Sequence, residues 1–145
     1  MKYKHTQTGY LVIVAILAAL VFFGTIFTQT KFSPAVSVFM LFILFLLFSF
    51  VSLNVVIDEN YLRIKFGYGI FRKSFLLREI VSVEAVKNHW YYGWGIRVWF
   101  WPRMYIYNVS GFDAVEIKMK SGKTYRIGTD EPKKLETTVK QLIKV

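Results

Sequence analysis

The residues of this chain that could do chemistry are cationic and aromatic rather than nucleophilic. Lys65, Arg72 and Lys73 lie close together, and Arg97 and Arg103 are interspersed with all four tryptophans, Trp90, Trp94, Trp99 and Trp101. Ammonium and guanidinium groups donate charge-assisted hydrogen bonds to phosphate and carboxylate oxygens. Tryptophan and tyrosine favour a membrane–water boundary because one edge is apolar and the other can hydrogen-bond. The same residue types dominate protein-binding hot spots. Rings in this number could also build a domain core. For residues 89–107 the sequence leaves core, lipid interface and docking surface open.

Catalytic, cofactor and metal chemistry find no foothold. There is no cysteine, and His89 is the only histidine outside the N-terminal tail. A lone histidine is a poor metal site. Ser110, near Asp113, reads as a turn rather than as half of a nucleophile–base pair. Gly67-Tyr68-Gly69 and Gly93-Trp94-Gly95 lack the spacing and the strand–helix context of a phosphate loop, and both read as turns. No catalytic, cofactor-binding or metal-binding residue is therefore expected, and the chain is expected not to be an enzyme.

The elements that position these residues divide into two parts. Tyr10 to Phe27 and Ala35 to Leu53 are uncharged apolar runs in a chain of mean hydropathy +0.39. As helices they rise roughly 27 Å or more, close to the ~30 Å hydrocarbon core of a bilayer. The first run is longer than the 7 to 15 residues of a signal peptide, and no small-residue cleavage pattern follows it before Pro34. The expectation is an integral membrane anchor over residues 1–53, with transmembrane helices at about 10–28 and 34–53, and a separate domain over 54–145. Ala15 and Ala19 offer a small-residue strip for close helix packing. Residues 1–9 read as a polar lead-in, with Tyr3 and Tyr10 as interfacial anchors.

Charge orients the anchor. Of the formal +10, Lys2, Lys4 and Lys31 supply +3, leaving about +7 after Leu53. Lys2 and Lys4 precede the first run, and Arg63, Lys65, Arg72, Lys73 and Arg78 follow the second, while the connection holds only Lys31. The positive-inside rule then places both termini in the cytoplasm at the inner (plasma) membrane, with two crossings. Basic residues scattered over strands and helix, without a recognition motif, argue against nucleic acid. Anionic lipid beside the anchor explains them more simply.

After Leu53 the period changes to two. Asn54 to Asp58, Tyr61 to Phe66, Ile70 to Leu77, Ile80 to Lys87, Gly95 to Phe100, Met104 to Asn108, Ala114 to Lys120 and Thr124 to Ile127 read as strands, with Pro102 at an edge or turn. Leu135, Val139, Leu142 and Ile143 then make one apolar helix stripe, capped by Thr129 or Asp130. The expected fold is a mainly-β domain: one antiparallel sheet, strongly bent or partly closed, covered by the C-terminal amphipathic helix.

Two apolar helices, short strands and a closing helix resemble small bacterial membrane proteins that carry a pleckstrin-homology-like domain. The stretches that carry the resemblance are Val55–Asp58, Tyr61–Gly67, Gly93–Arg97, Tyr107–Gly111 and Ile127–Pro132. It implies about seven strands with a C-terminal helix, a largely uncharacterised function and no catalytic residues to transfer. The expected function is a non-enzymatic, membrane-anchored interaction module contacting anionic lipid headgroups, a membrane-associated protein, or both. Lys65, Arg72, Lys73, Arg97 and Arg103 are the candidate headgroup residues, and Trp90, Trp94, Trp99 and Trp101 the candidate anchors. The alternative is an accessory subunit of a transport or secretion complex, with the domain as a docking surface. Homo-oligomers suit either reading.

Overall fold

The computed structural model describes residues 2–31, 33–100 and 103–144. In order, the chain forms β1 (Tyr3–Thr8), α1 (Tyr10–Gln29), α2 (Pro34–Phe48), β2 (Ser52–Ile57), β3 (Tyr61–Phe66), β4 (Arg72–Leu76) and β5 (Ile80–Lys87). A short 3-10 turn over Trp90–Tyr92 leads to β6 (Gly95–Phe100), β7 (Arg103–Asn108), β8 (Asp113–Met119), β9 (Thr124–Gly128) and α3 (Pro132–Ile143). The single antiparallel sheet of about seven strands is corrected. Nine described strands form two sheets, ordered β1-β2-β3-β4 and β5-β8-β9-β7-β6, and β7 runs parallel to β9. A parallel neighbour comes from a distant segment, so no hairpin signal announces it. The mainly-β character and the closing helix are as expected.

The first nine residues depart furthest from the sequence pattern. Instead of a polar lead-in, Tyr3–Thr8 is a strand paired antiparallel with β2, so the two helices are inserted between neighbouring strands. Tyr3, expected as an interfacial anchor, is buried in the core. The Gly9 N–H donates to the Val51 carbonyl at 2.8 Å and closes a neck where the helices leave the sheet. A Cβ on Gly9 would meet the Phe50 carbonyl at 2.9 Å, so the neck admits only glycine comfortably.

α1, 20 residues long, is the one described helix long and apolar enough to cross a membrane. α2 stops at Phe48, short of the expected residue 53. Beyond it Leu53, Val55 and Ile57 alternate inward as β2, which spans the expected boundary at 53/54. Ser33 caps α2, accepting from the Val36 N–H, and Pro34 opens it where its missing donor costs nothing. The helices pack through Ile16 and Phe23, whose ring meets Phe39 edge-on at 6.2 Å. Ala15 and Ala19 are half-buried beside this seam and Ala18 is exposed. The outward faces (Leu17, Val21, Phe22, Phe42 and Phe45 among them) are exposed.

The main core lies between the sheets. Leu53, Val55, Ile57, Leu62, Ile64 and Phe66 from one face Val115, Ile117 and Ile127 from the other, with Leu135 and Val139 of α3, which packs on β5 and β8, completing the core. At the start of α3 the capping position is Glu131, whose N–H donates to Thr129 Oγ1, so neither Thr129 nor Asp130 caps the helix directly. A second, smaller core of Tyr92, Met104 and Ile106, with Trp99 packed on it, fills the opposite face of the five-stranded sheet.

Candidate functional site

Strand alternation gathers positive charge on the outer face of the four-stranded sheet. Two cross-strand rows run there: Lys4, Val56, Arg63, Ser74, and, nearer the helix pair, Thr6, Asn54, Lys65, Arg72. Residues directly opposite across a ladder have Cβ atoms about 5 Å apart, so their side chains share one surface. That surface is a shallow groove of about 320 Å³ with Lys4, Arg63, Lys65 and Arg72 on its walls. Asn54 Nδ2 donates to Thr6 Oγ1 at 3.0 Å and fixes the floor. Arg63 pairs with Asp58 and lies 4.9 Å from the Tyr61 ring centre. Among the described residues no acid forms an ion pair with Lys4, Lys65 or Arg72. The groove therefore offers unneutralised donors shaped for phosphate or carboxylate oxygens.

The candidate residues separate clearly. Lys65 and Arg72 are direct cross-strand partners. Lys73 points to the other face, where its Nζ stands 5.8 Å from the Tyr125 ring centre. Arg97 and Arg103 belong to the β6–β7 hairpin; Arg97 donates from Nε to the Trp94 carbonyl at 3.1 Å. Neither joins the groove. Lys4 and Arg63 complete it, and neither was a candidate on sequence. Arg63 shares the period of Lys65, a signal that was present, whereas Lys4 required knowing that β1 is a strand.

The aromatic stretch divides as well. Tyr92 is buried and Trp99 packs beside it, so these rings are core. Trp94 donates from Nε1 to the Gly111 carbonyl at 3.2 Å and leans on Phe112. His89 stacks flat on Tyr91, 4.9 Å between centres. Trp90 and Phe100 stay open, 75% and 81% exposed. Trp101 lies outside the described residues. Arg126 ties this layer to the sheet: its Nε donates to Glu116 at 2.9 Å, Nη1 reaches Asn88 Oδ1 at 3.2 Å, and its guanidinium stands 5.5 Å from the Tyr92 ring.

A polar clasp fixes β1 against α3. His5 meets Asp130, and its Nδ1 lies 3.5 Å from Glu131. The Tyr3 hydroxyl donates to Glu131 at 3.1 Å, and burial, reinforced by that carboxylate, pushes the phenol well above its ordinary range. This cluster holds the strand that supplies Lys4 to the groove.

No family model, curated protein or solved structure matches this chain.

Proposed function

We propose that the chain is a membrane-anchored binding module whose two helices form a transmembrane hairpin and whose outer sheet face engages anionic lipid headgroups. One observation carries this reading: Lys4, Lys65 and Arg72, free of acid partners among the described residues, converge with Arg63 on the sheet from which both helices emerge. A strand rises about 3.3 Å per residue, so the row of Lys65 and Arg72 stands two positions, roughly 7 Å, from the neck at Thr8 and Ser52. Each cation near an anionic leaflet gains about 1 kcal/mol. The pairing of β1 with β2 supports a hairpin, since both helices attach at the same end of the sheet, at Thr8 and Ser52, and so start and finish on one side of a bilayer. Lysines before α1 and basic residues after α2 favour the cytoplasmic side of the inner membrane.

The plan also supports the pleckstrin-homology-like reading. Setting aside the β6–β7 hairpin leaves four strands, three strands and a C-terminal helix. In this reading the hairpin is an addition, and the groove is a binding surface without enzymatic machinery.

The test uses the full chain reconstituted in bilayers with nitroxide-labelled phosphatidylglycerol or phosphatidylcholine. Preferential association of the anionic lipid, lost in Lys65→Gln/Arg72→Gln, is expected. Equal association of both lipids would end the headgroup reading. A domain cut at Asn54 is unsuitable, because it lacks β1.

A second reading, protein docking as a subunit of a larger membrane complex or between copies, is favoured by exposed Trp90 and Phe100. Mild-detergent isolation that yields a stoichiometric partner, lost on Phe100→Ala, would support it.

A further inference from the structure

The turn between β3 and β4 does not stop at the edge of the sheet but lies alongside the last turns of α2. The Tyr68 ring stacks on Phe45 of α2, 5.8 Å between centres and 27° between planes. Gly67, at φ +43°, sits so close to the helix end that a Cβ there would meet the Ser49 carbonyl at 2.7 Å and the Phe48 carbonyl at 2.8 Å. The turn is thus fixed beside the helix. Yet Tyr68 and Ile70 are 56% and 55% exposed, as the outward side of Phe45 is. Phe45 precedes the last residue of α2 by three positions, about 4.5 Å along the axis. A ring stacked on it shares its depth.

Given the hairpin reading above, we propose that Tyr68 and Ile70 enter the leaflet from which α2 emerges, as a third membrane contact that does not cross. Continuity with the apolar face of α2 identifies the occupant as lipid rather than protein. The helix length agrees. At 15 residues α2 covers about 22 Å of a ~30 Å hydrocarbon core, so apolar side chains of the domain beside its end would meet acyl chains.

The insertion also sets the depth of the basic row. Arg72 follows Ile70 by two positions, at most about 7 Å of chain, and the headgroup layer on each side is about 5 to 7 Å thick. Lys65 runs its aliphatic stem over Gly69, whose Cβ would lie 2.8 Å from Lys65 Cδ. A stem along an apolar turn with its ammonium beyond it is how lysine reaches a phosphate plane. Tyr68 and Ile70 would hold the acyl boundary while Lys65 and Arg72 meet the phosphates.

The chain contains no cysteine, so single nitroxide labels can be placed cleanly. Ile70→Cys is compared with Phe42→Cys on the outer face of α2 and with Glu59→Cys in the turn at the far end of the sheet. All three use the full chain in phosphatidylcholine–phosphatidylglycerol bilayers, after circular dichroism confirms folding. Collision with oxygen, which concentrates in lipid, is expected to exceed collision with a water-soluble nickel chelate at 70 and 42, with the order reversed at 59. Water-like behaviour at 70 beside lipid-like behaviour at 42 overturns the insertion alone. Water-like behaviour at 42 overturns the hairpin, and the insertion with it.

Discussion

Tyr3 lies directly across the β1–β2 ladder from Ile57, although both apolar helices separate the two residues in the chain. The sheet is thus completed by a strand that precedes the helices, and its integrity depends on the order of residues 3–8. Tyr3→Ala removes a buried ring together with its bond to Glu131 and is expected to cost about 3 kcal/mol. Tyr3→Phe keeps the ring and should cost about 1 kcal/mol. Denaturant unfolding of the full chain in detergent, followed by tryptophan emission, measures both. Equal costs would contradict the burial of the ring.

Gly128 and Asn108 are in similarly close contact. A Cβ on Gly128 would fall 2.0 Å from Asn108 Oδ1, and that side chain is buried and held by the Ser110 N–H and the Gly111 carbonyl. Gly128→Ala must displace it, at about 2 to 3 kcal/mol. Asn108→Ala in the same chain removes the amide, the nearer part of the clash, and leaves only the Asn108 Cβ at 2.9 Å, so the double variant should cost less than the sum of the two separate values. Additive costs in the same unfolding assay would show that the two sites do not touch.

What the sequence could convey was local. β3 and β8 alternate cleanly, and α3 repeats its apolar positions at helical spacing, so a buried face dictates each pattern. β1 escaped because its inward positions are Tyr3, His5 and Gln7, two of them polar, and its partner lies beyond two helices. The end of α2 escaped because Phe50, Val51 and Leu53 are apolar in either state, and only Leu53, Val55 and Ile57 taken together reveal the strand period. The groove was half legible: Lys65 and Arg72 stood out as close cations, while Lys4 joins them through long-range pairing. Tyr92 and Trp99, read as open alternatives, became core once the chain folded back over β7.

The groove separates lysines that sequence alone groups. Lys4 and Lys65 share its walls, whereas Lys73 faces the Tyr125 ring on the other side of the sheet. Lys4→Gln and Lys65→Gln should each lower the preference for phosphatidylglycerol by about 1 kcal/mol, roughly fivefold, and less at high salt. Lys73→Gln should leave it unchanged. Association of nitroxide-labelled lipid with the reconstituted chain reads the difference, and equal losses at all three positions would mean that diffuse charge, not the groove, governs binding.

Asp58 makes the β2–β3 turn sensitive to acid. Its Oδ1 accepts from the backbone N–H groups of Asn60 and Tyr61, both at 2.9 Å, and Arg63 pairs with the other oxygen. The two backbone bonds lead in holding this carboxyl below its ordinary value, with Arg63 adding to them. For a depressed pKa, the contribution to stability is complete above the unfolded value near 3.9 and is lost as pH falls through the lower folded value. Asp58→Ala should therefore lower the melting temperature at pH 7 and make progressively less difference below about pH 4. A deficit that persists undiminished at pH 2 would assign the effect to the turn's shape rather than its charge.

Arg126 and Glu116 bear on whether the aromatic layer is part of the folded unit. Both are largely buried, about 15% and 16% exposed, and Arg126 also contacts Asn88 and the Tyr92 ring. Removing one partner of such a pair leaves an uncompensated charge, so Glu116→Ala should cost about 3 kcal/mol. The residue opposite Glu116 on β5 is Glu84, one strand further from Arg126, so it cannot restore the bond to Nε that Glu116 makes directly. Replacing both, Glu116→Leu with Arg126→Met, should return most of the stability, because neither charge then needs solvation. Arg126→Lys should remain costly, since an ammonium cannot bond Glu116 and Asn88 in the same plane while lying over Tyr92. A double-mutant cycle in denaturant, with near-ultraviolet dichroism reporting the tryptophan and tyrosine rings, measures the coupling. Loss of that ring signal in Glu116→Ala at a denaturant concentration where the rest of the sheet is still folded would show that the layer over β7 unfolds on its own.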